Sequence, residues 1–310
     1  MNFELLSLLL AAGGGFFAAA IGALHAFIFT GLMVVSGVGI LLAGGTGDFL
    51  GTVAFGPVFG PHVAFAGGVA AAAYAARRSD KVGGKDIAVP LISIEKPDVL
   101  IVGALFGMGG YLVQLGIAKI PWFGTHTDTV AVTVVISALI VRLFIGRASI
   151  FGNLPEGAGW GRFAPKDETA WVRYHEKFVP NTVLGLGAGL FAAGVTLKLN
   201  ELYPGIPAVQ YFVFGLSAVS LLFLSLGLSF PVTHHITIIG GVGAFAFLPI
   251  VGGNTVVALI IGALFGMMSA WFAEFFARLL HDHGNTHIDP PAAAIWPATT
   301  IVLGLAAVLS

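Results

Sequence analysis

Histidine and aspartate recur inside apolar sequence, at corresponding positions in two parts of the chain. Gly124-Thr125-His126-Thr127-Asp128-Thr129 is echoed by Asn285-Thr286-His287-Ile288-Asp289-Pro290. Upstream of each, LIVGALFGM at residues 100–108 is matched by LIIGALFGM at 259–267. His62 precedes Gly67-Gly68-Val69, and His235 stands at the same spacing before Gly240-Gly241-Val242. Imidazole titrates near neutral pH and carboxylate carries charge, so His62, His126, Asp128, His235, His287 and Asp289 are candidates for binding a solute or a proton. A polar pattern retained in both copies of an apolar repeat argues for a paired site.

The elements that position these residues follow from composition. Of 310 residues, 57% are hydrophobic and 9% charged, against about 25% charged in soluble domains. Apolar runs long enough to cross roughly 30 Å of hydrocarbon succeed one another, so an integral membrane protein in contact with the lipid bilayer is expected. A formal net charge of -1 gives no case for nucleic acid, and the lack of cysteine excludes disulfides and thiol chemistry. The 44 glycines lie in apolar stretches, where small residues let helices approach closely. No cleavable signal peptide is expected, because Met1-Asn2-Phe3-Glu4 lacks a positive start.

The expected fold is all-α and polytopic, with about ten transmembrane helices. Spans are expected near 4–24, 26–45, 53–76, 99–119 and 127–147, then 180–199, 207–229, 232–252, 255–280 and 290–309. This divides the chain into a five-helix repeat over 1–147, a cytoplasmic linker over 148–179 and a second five-helix repeat over 180–310. Basic residues lie between spans three and four (Arg77, Arg78, Lys81, Lys85) and in the linker (Arg162, Lys166, Arg173, Lys177). The positive-inside rule then places the N-terminus outside, in the cell membrane. Five spans is an odd number, so the second repeat enters the membrane upside down. The span count resembles that of inverted five-plus-five transporters and channels, an architectural analogy. Prolines just before His62 and His234-His235 predict broken or re-entrant helices at spans three and eight.

In this reading the four recurring histidines sit at or near helix N-termini, which favour anions through free N–H groups. Thr125 and Thr286 are expected to cap the fifth and tenth spans, with Asp128 and Asp289 in the first turn. Weaker candidates are His25, Asp48 in an external turn, and His234. His281, Asp282 and His283 read as a solvated loop end, with His281 and His283 as metal-ligand candidates. Glu274 and Arg278 are spaced to pair, Arg142 and Lys119 to snorkel, and His175 carries no functional signal.

The function expected is a permease or channel for a small polar or anionic solute, with proton coupling through the His/Asp pairs. A divalent-cation carrier using the same residues is the alternative, and a membrane-embedded enzyme a more distant one. The chain is read as a non-enzyme, with no cofactor other than a candidate metal ion. A homo-oligomer is compatible with this reading.

Overall fold

The computed structural model describes residues 4–157, 159–166 and 168–310. Among them every regular element is helical. Apart from 3-10 turns, these are, in chain order, α1 (Leu5–Ile21), α2 (Ala23–Leu42), a π-helical turn (Leu50–Ala54), α3 (Ala64–Ala75), α4 (Pro97–Ile117), α5 (Phe123–His126) and α6 (Thr129–Ile140), which runs into a second π-helical turn (Val141–Ile145). Then follow α7 (Phe178–Leu202), α8 (Phe212–Val219), α9 (Leu221–Ser225), α10 (His234–Phe247), α11 (Thr255–Phe276), which continues as a third π-helical turn (Ala277–His281), and α12 (Pro290–Leu309).

Among the described residues, six helical segments are long and apolar enough to cross a membrane: Ala23–Leu42, Pro97–Ile117, Phe178–Leu202, Pro207–Ser225, Thr255–His281 and Pro290–Leu309. Four shorter apolar helices accompany them, Leu5–Ile21, Ala64–Ala75, Thr129–Ile145 and His234–Phe247. Large side chains such as Leu5, Phe144, Phe178 and Val308 point outward and stay exposed, as a lipid-facing surface requires.

Small residues set how the helices meet. Lipid is as apolar as leucine, so helix association in a membrane depends on close packing rather than on burial from water. Ala11, Gly15 and Ala19 of α1 face Gly103 and Gly107 of α4, with rising numbers on α1 meeting falling numbers on α4. The two helices are therefore antiparallel. Gly185, Gly189 and Ala193 of α7 meet Met267, Gly266 and Gly262 of α11 in the same antiparallel sense. Gly67 of α3 packs on Gly15, and Gly240 of α10 packs on Gly189. Between α1 and α2 the chain reverses at Gly22 alone, whose φ of 95° is one that L side chains rarely adopt.

Irregular chain precedes α3 where Pro57 and Pro61 stand. The chain leaves its π-helical turn at Ala54 and runs through irregular turns before α3 begins at Ala64. Thr30 of α2 holds this stretch, its hydroxyl donating to the Phe59 carbonyl at 2.6 Å. Downstream, α10 starts at His234 directly after irregular residues 226–233. A methyl group on Gly110 of α4 would run into the His62 carbonyl oxygen. In the other half, Ser269 of α11 donates its hydroxyl to the His235 carbonyl at 2.8 Å. Both histidines thus lie level with the interior of a long neighbouring helix.

Candidate functional site

A cavity of about 710 Å³ lies between the halves of the chain, within the range that holds an organic ligand. Its wall draws on α2, the start of α3, residues 85–87, the start of α6, linker residues 168–172, α8, α10 and α12. Asp128, His234, His281, His287 and Asp289 all line it, and so does Thr125.

Asp128 and Asp289 occupy equivalent places. Each is the N-cap of its helix: Asp128 Oδ1 accepts from the Ala131 N–H at 2.8 Å, and Asp289 Oδ2 from the Ala292 N–H at 2.8 Å. The expectation that Thr125 and Thr286 cap these helices is corrected. Thr125 instead donates to the Trp122 carbonyl, and buried Thr286 accepts from Arg142 Nε at 2.8 Å. Aspartate at N-cap followed by Pro290 at the first helical position is the stronger capping pattern, and it was legible in the sequence.

The histidines separate into three groups. His287 and His281 belong to the cavity wall. His287 Nε2 lies 3.2 Å from Asp289 Oδ1, its ring centroid is 5.1 Å from that of His281, and His281 Nδ1 lies 3.2 Å from Asp282 Oδ1. A carboxylate–imidazole–imidazole–carboxylate row results. His62 and His235 form the second group. They are 1% and 0% exposed and stand behind the cavity wall, with ring nitrogens that bond to no described residue. His126 is the outlier. It ends the short helix α5 rather than starting a span, stacks on Trp122 at 4.8 Å, and bonds to the Trp122 carbonyl through Nδ1.

The weaker candidates divide likewise. His234 is 4% exposed, lines the cavity and packs against Phe27 at 4.7 Å. His25 bonds back to the Ile21 carbonyl at the α1–α2 reversal. Exposed Asp48 accepts from the Gly51 N–H, a local turn bond. His283 sits on the loop before α12, outside the cavity wall. Among the described residues no three His, Cys, Asp or Glu side chains converge as a metal site.

Two readings of the loops change. His281 and Asp282 are buried, not solvated. Arg142 does not snorkel. It is fully buried and donates to the carbonyls of Ile150, Leu280 and Thr286, tying α6 to the loop before α12. The linker packs against this region. The Trp171 N–H donates to Asp282 Oδ1 at 3.0 Å, and buried His175 accepts through Nε2 from the Val232 N–H at 3.3 Å. Burial pulls the His175 imidazole down to about 4. Burial also pushes the Asp282 carboxyl up to about 7, helped by nearby Glu274 and opposed by the Trp171 N–H and Lys85. Lys85 lines the cavity and donates to the carbonyls of His281 and Asp282 at 3.4 and 3.3 Å. Its ammonium is held below the ordinary lysine range, first by burial. The Glu274–Arg278 pair forms as the spacing predicts, at 2.5 Å.

The architecture and its apolar helices mark a helical membrane protein. The chain matches DUF7973, described as a family of unknown function, over residues 1–168 and again over residues 165–310, and it belongs to that family. No curated protein and no solved structure matches it.

Proposed function

We propose that the protein is a permease for a small polar organic solute, with the central cavity as its binding site. The cavity carries this reading: it draws its wall from both halves of the chain and places Asp128 and Asp289, the two N-caps, on that wall. In the proposed architecture the four shorter apolar helices complete ten spans, arranged as two five-helix repeats of opposite orientation with the N-terminus outside. The matching contacts of α1–α3–α4 and α7–α10–α11 support the repeat, and so does the double match to one family. Solute sites in such folds lie at discontinuous helices near the repeat axis.

Proton coupling is part of the proposal. The row Asp289, His287, His281, Asp282 runs from the cavity wall to the loop that the linker covers. Imidazole and carboxylate are the side chains that most often pass protons between neighbours. The test is proton flux into proteoliposomes loaded with a pH-sensitive dye, screened against cationic, neutral and anionic solutes. A solute-dependent flux that Asp289→Asn and His287→Gln abolish is expected. No solute-dependent flux, or full flux in both variants, would overturn the coupled permease.

A further inference from the structure

We propose that the cavity selects an organic cation: a protonated amine carried on an apolar, aromatic-sized body. Transport of that cation rests on the permease reading, whereas its binding does not.

Four observations carry the assignment. The first is the balance of charge: among the described lining residues, Asp128, Asp289 and Glu168 carry carboxylates, and Lys85 is the one lysine or arginine. Lys85 is turned to the backbone carbonyls of His281 and Asp282, so it serves the loop rather than an anion in the cavity.

The second concerns the helix N-termini. Free N–H groups at these ends are what would favour an anion. Here Asp128 and Asp289 themselves accept the N–H groups of Ala131 and Ala292. Each helix start thereby presents a carboxylate, and the sign of the site is reversed from the one a bare helix end would have.

The third is the apolar wall. Phe27, Phe55, Phe65, Trp171, Tyr211 and Phe214 all face the cavity. Aromatic faces carry negative charge density and attract cations, most strongly away from water. A wall of aromatic and aliphatic side chains also favours an organic body over a small hydrated ion.

The fourth is His234. It is 4% exposed and lines the cavity with its ring held between Phe27 and Phe214. An imidazole there sets a nitrogen-bearing ring among the aromatic side chains of the wall.

Titration calorimetry on the protein in lipid nanodiscs tests the proposal, with three probes of one carbon skeleton: a naphthylpropyl ammonium ion, the naphthylpropyl alcohol and the naphthylpropanoate. Heats from empty nanodiscs are subtracted to remove partition into lipid. The ammonium ion should bind about tenfold or more tighter than the carboxylate. Asp128→Asn and Asp289→Asn should each weaken ammonium binding several-fold and the alcohol much less, with the melting temperature held because asparagine also caps. Equal affinity for ammonium and carboxylate, ammonium binding unaffected in both variants, or no heat beyond that of empty nanodiscs would each overturn it. Ammonium binding without uptake by proteoliposomes would refute the permease reading and leave this one standing. Solute-driven proton flux without ammonium binding would do the reverse.

Discussion

Asp128 and Asp289 each have two jobs that substitution can separate. As N-caps they satisfy a backbone N–H and complement the helix dipole, work that asparagine does equally well. As carboxylates on the cavity wall they supply charge, which asparagine does not. Asp128→Asn and Asp289→Asn should therefore cost less than about 1 kcal/mol of stability while transport falls sharply. Alanine at either position should cost about 1 kcal/mol in thermal unfolding, because the N–H loses its partner. Normal transport in both asparagine variants would leave the aspartates as caps alone. Asp282 allows a pH test. Its carboxyl titrates near 7 in the folded chain and in the ordinary carboxylate range when unfolded, so the folded state holds more protons between those values. The contribution of this group is thus most favourable in acid and is lost as pH rises toward 7. Melting curves of the wild type and Asp282→Asn, taken from pH 4 to pH 8, should diverge in that direction, the wild type losing stability relative to the variant. Parallel curves would show that Asp282 ionises freely.

At the scale of the element, the tightest constraint is one missing methyl group. The His62 carbonyl occupies the space that a side chain on Gly110 would need, which fixes the start of α3 against α4. Gly110→Ala should destabilise by roughly 1–3 kcal/mol, the usual cost of overpacking. Gly109→Ala, with open space at its Cβ, should be neutral or slightly stabilising and serves as the control. Ser269→Ala, which loses only the hydroxyl bond to the His235 carbonyl, should cost about 1 kcal/mol. If Gly110→Ala and Gly109→Ala melt alike in detergent, the close approach of His62 is wrong. The sequence carried much of this scale. Long apolar runs announced the helices, and Pro57, Pro61 and Pro231 announced the irregular stretches before α3 and α10. The cavity was only half legible. Asp128, His287 and Asp289 stood out because a polar residue in apolar sequence is conspicuous. Lys85, Trp171 and Asp282 did not, because they lie in loops whose folding back onto the helices leaves no periodic signal. Arg142 was misread for a related reason: proximity to a span end suggested a solvent-seeking side chain, whereas carbonyls of residues 150, 280 and 286 gather around it.

For the whole molecule the open question is which faces the loops occupy, and the proposed inversion gives a definite answer. The antiparallel contacts of α1 with α4 and of α7 with α11 fix directions within each half. Gly31 of α2 meets Ala218 and Gly215 of α8 near the point where Val35 also meets Gly215, an antiparallel crossing that relates one half to the other. Following these directions, residues 43–48 and 203–206 fall on one face, while residues 76–96 and 226–233 fall on the opposite one. In the proposed orientation, the second face, with the basic cluster Arg77, Arg78, Lys81 and Lys85, is cytoplasmic. The chain contains no cysteine, so single cysteines can be introduced without a background. Thr46→Cys and Pro204→Cys should react with a membrane-impermeant maleimide on intact cells. Asp80→Cys and Leu228→Cys should react only after permeabilisation. All four sites lie on loops, Thr46, Pro204, Asp80 and Leu228 being exposed, so the substitutions should leave folding intact. Labelling of all four with the faces exchanged would reverse the orientation but keep the inverted halves. Labelling of Thr46 and Pro204 from opposite sides would break the inversion itself, and with it the argument that Asp128 and Asp289 are partners across one pathway.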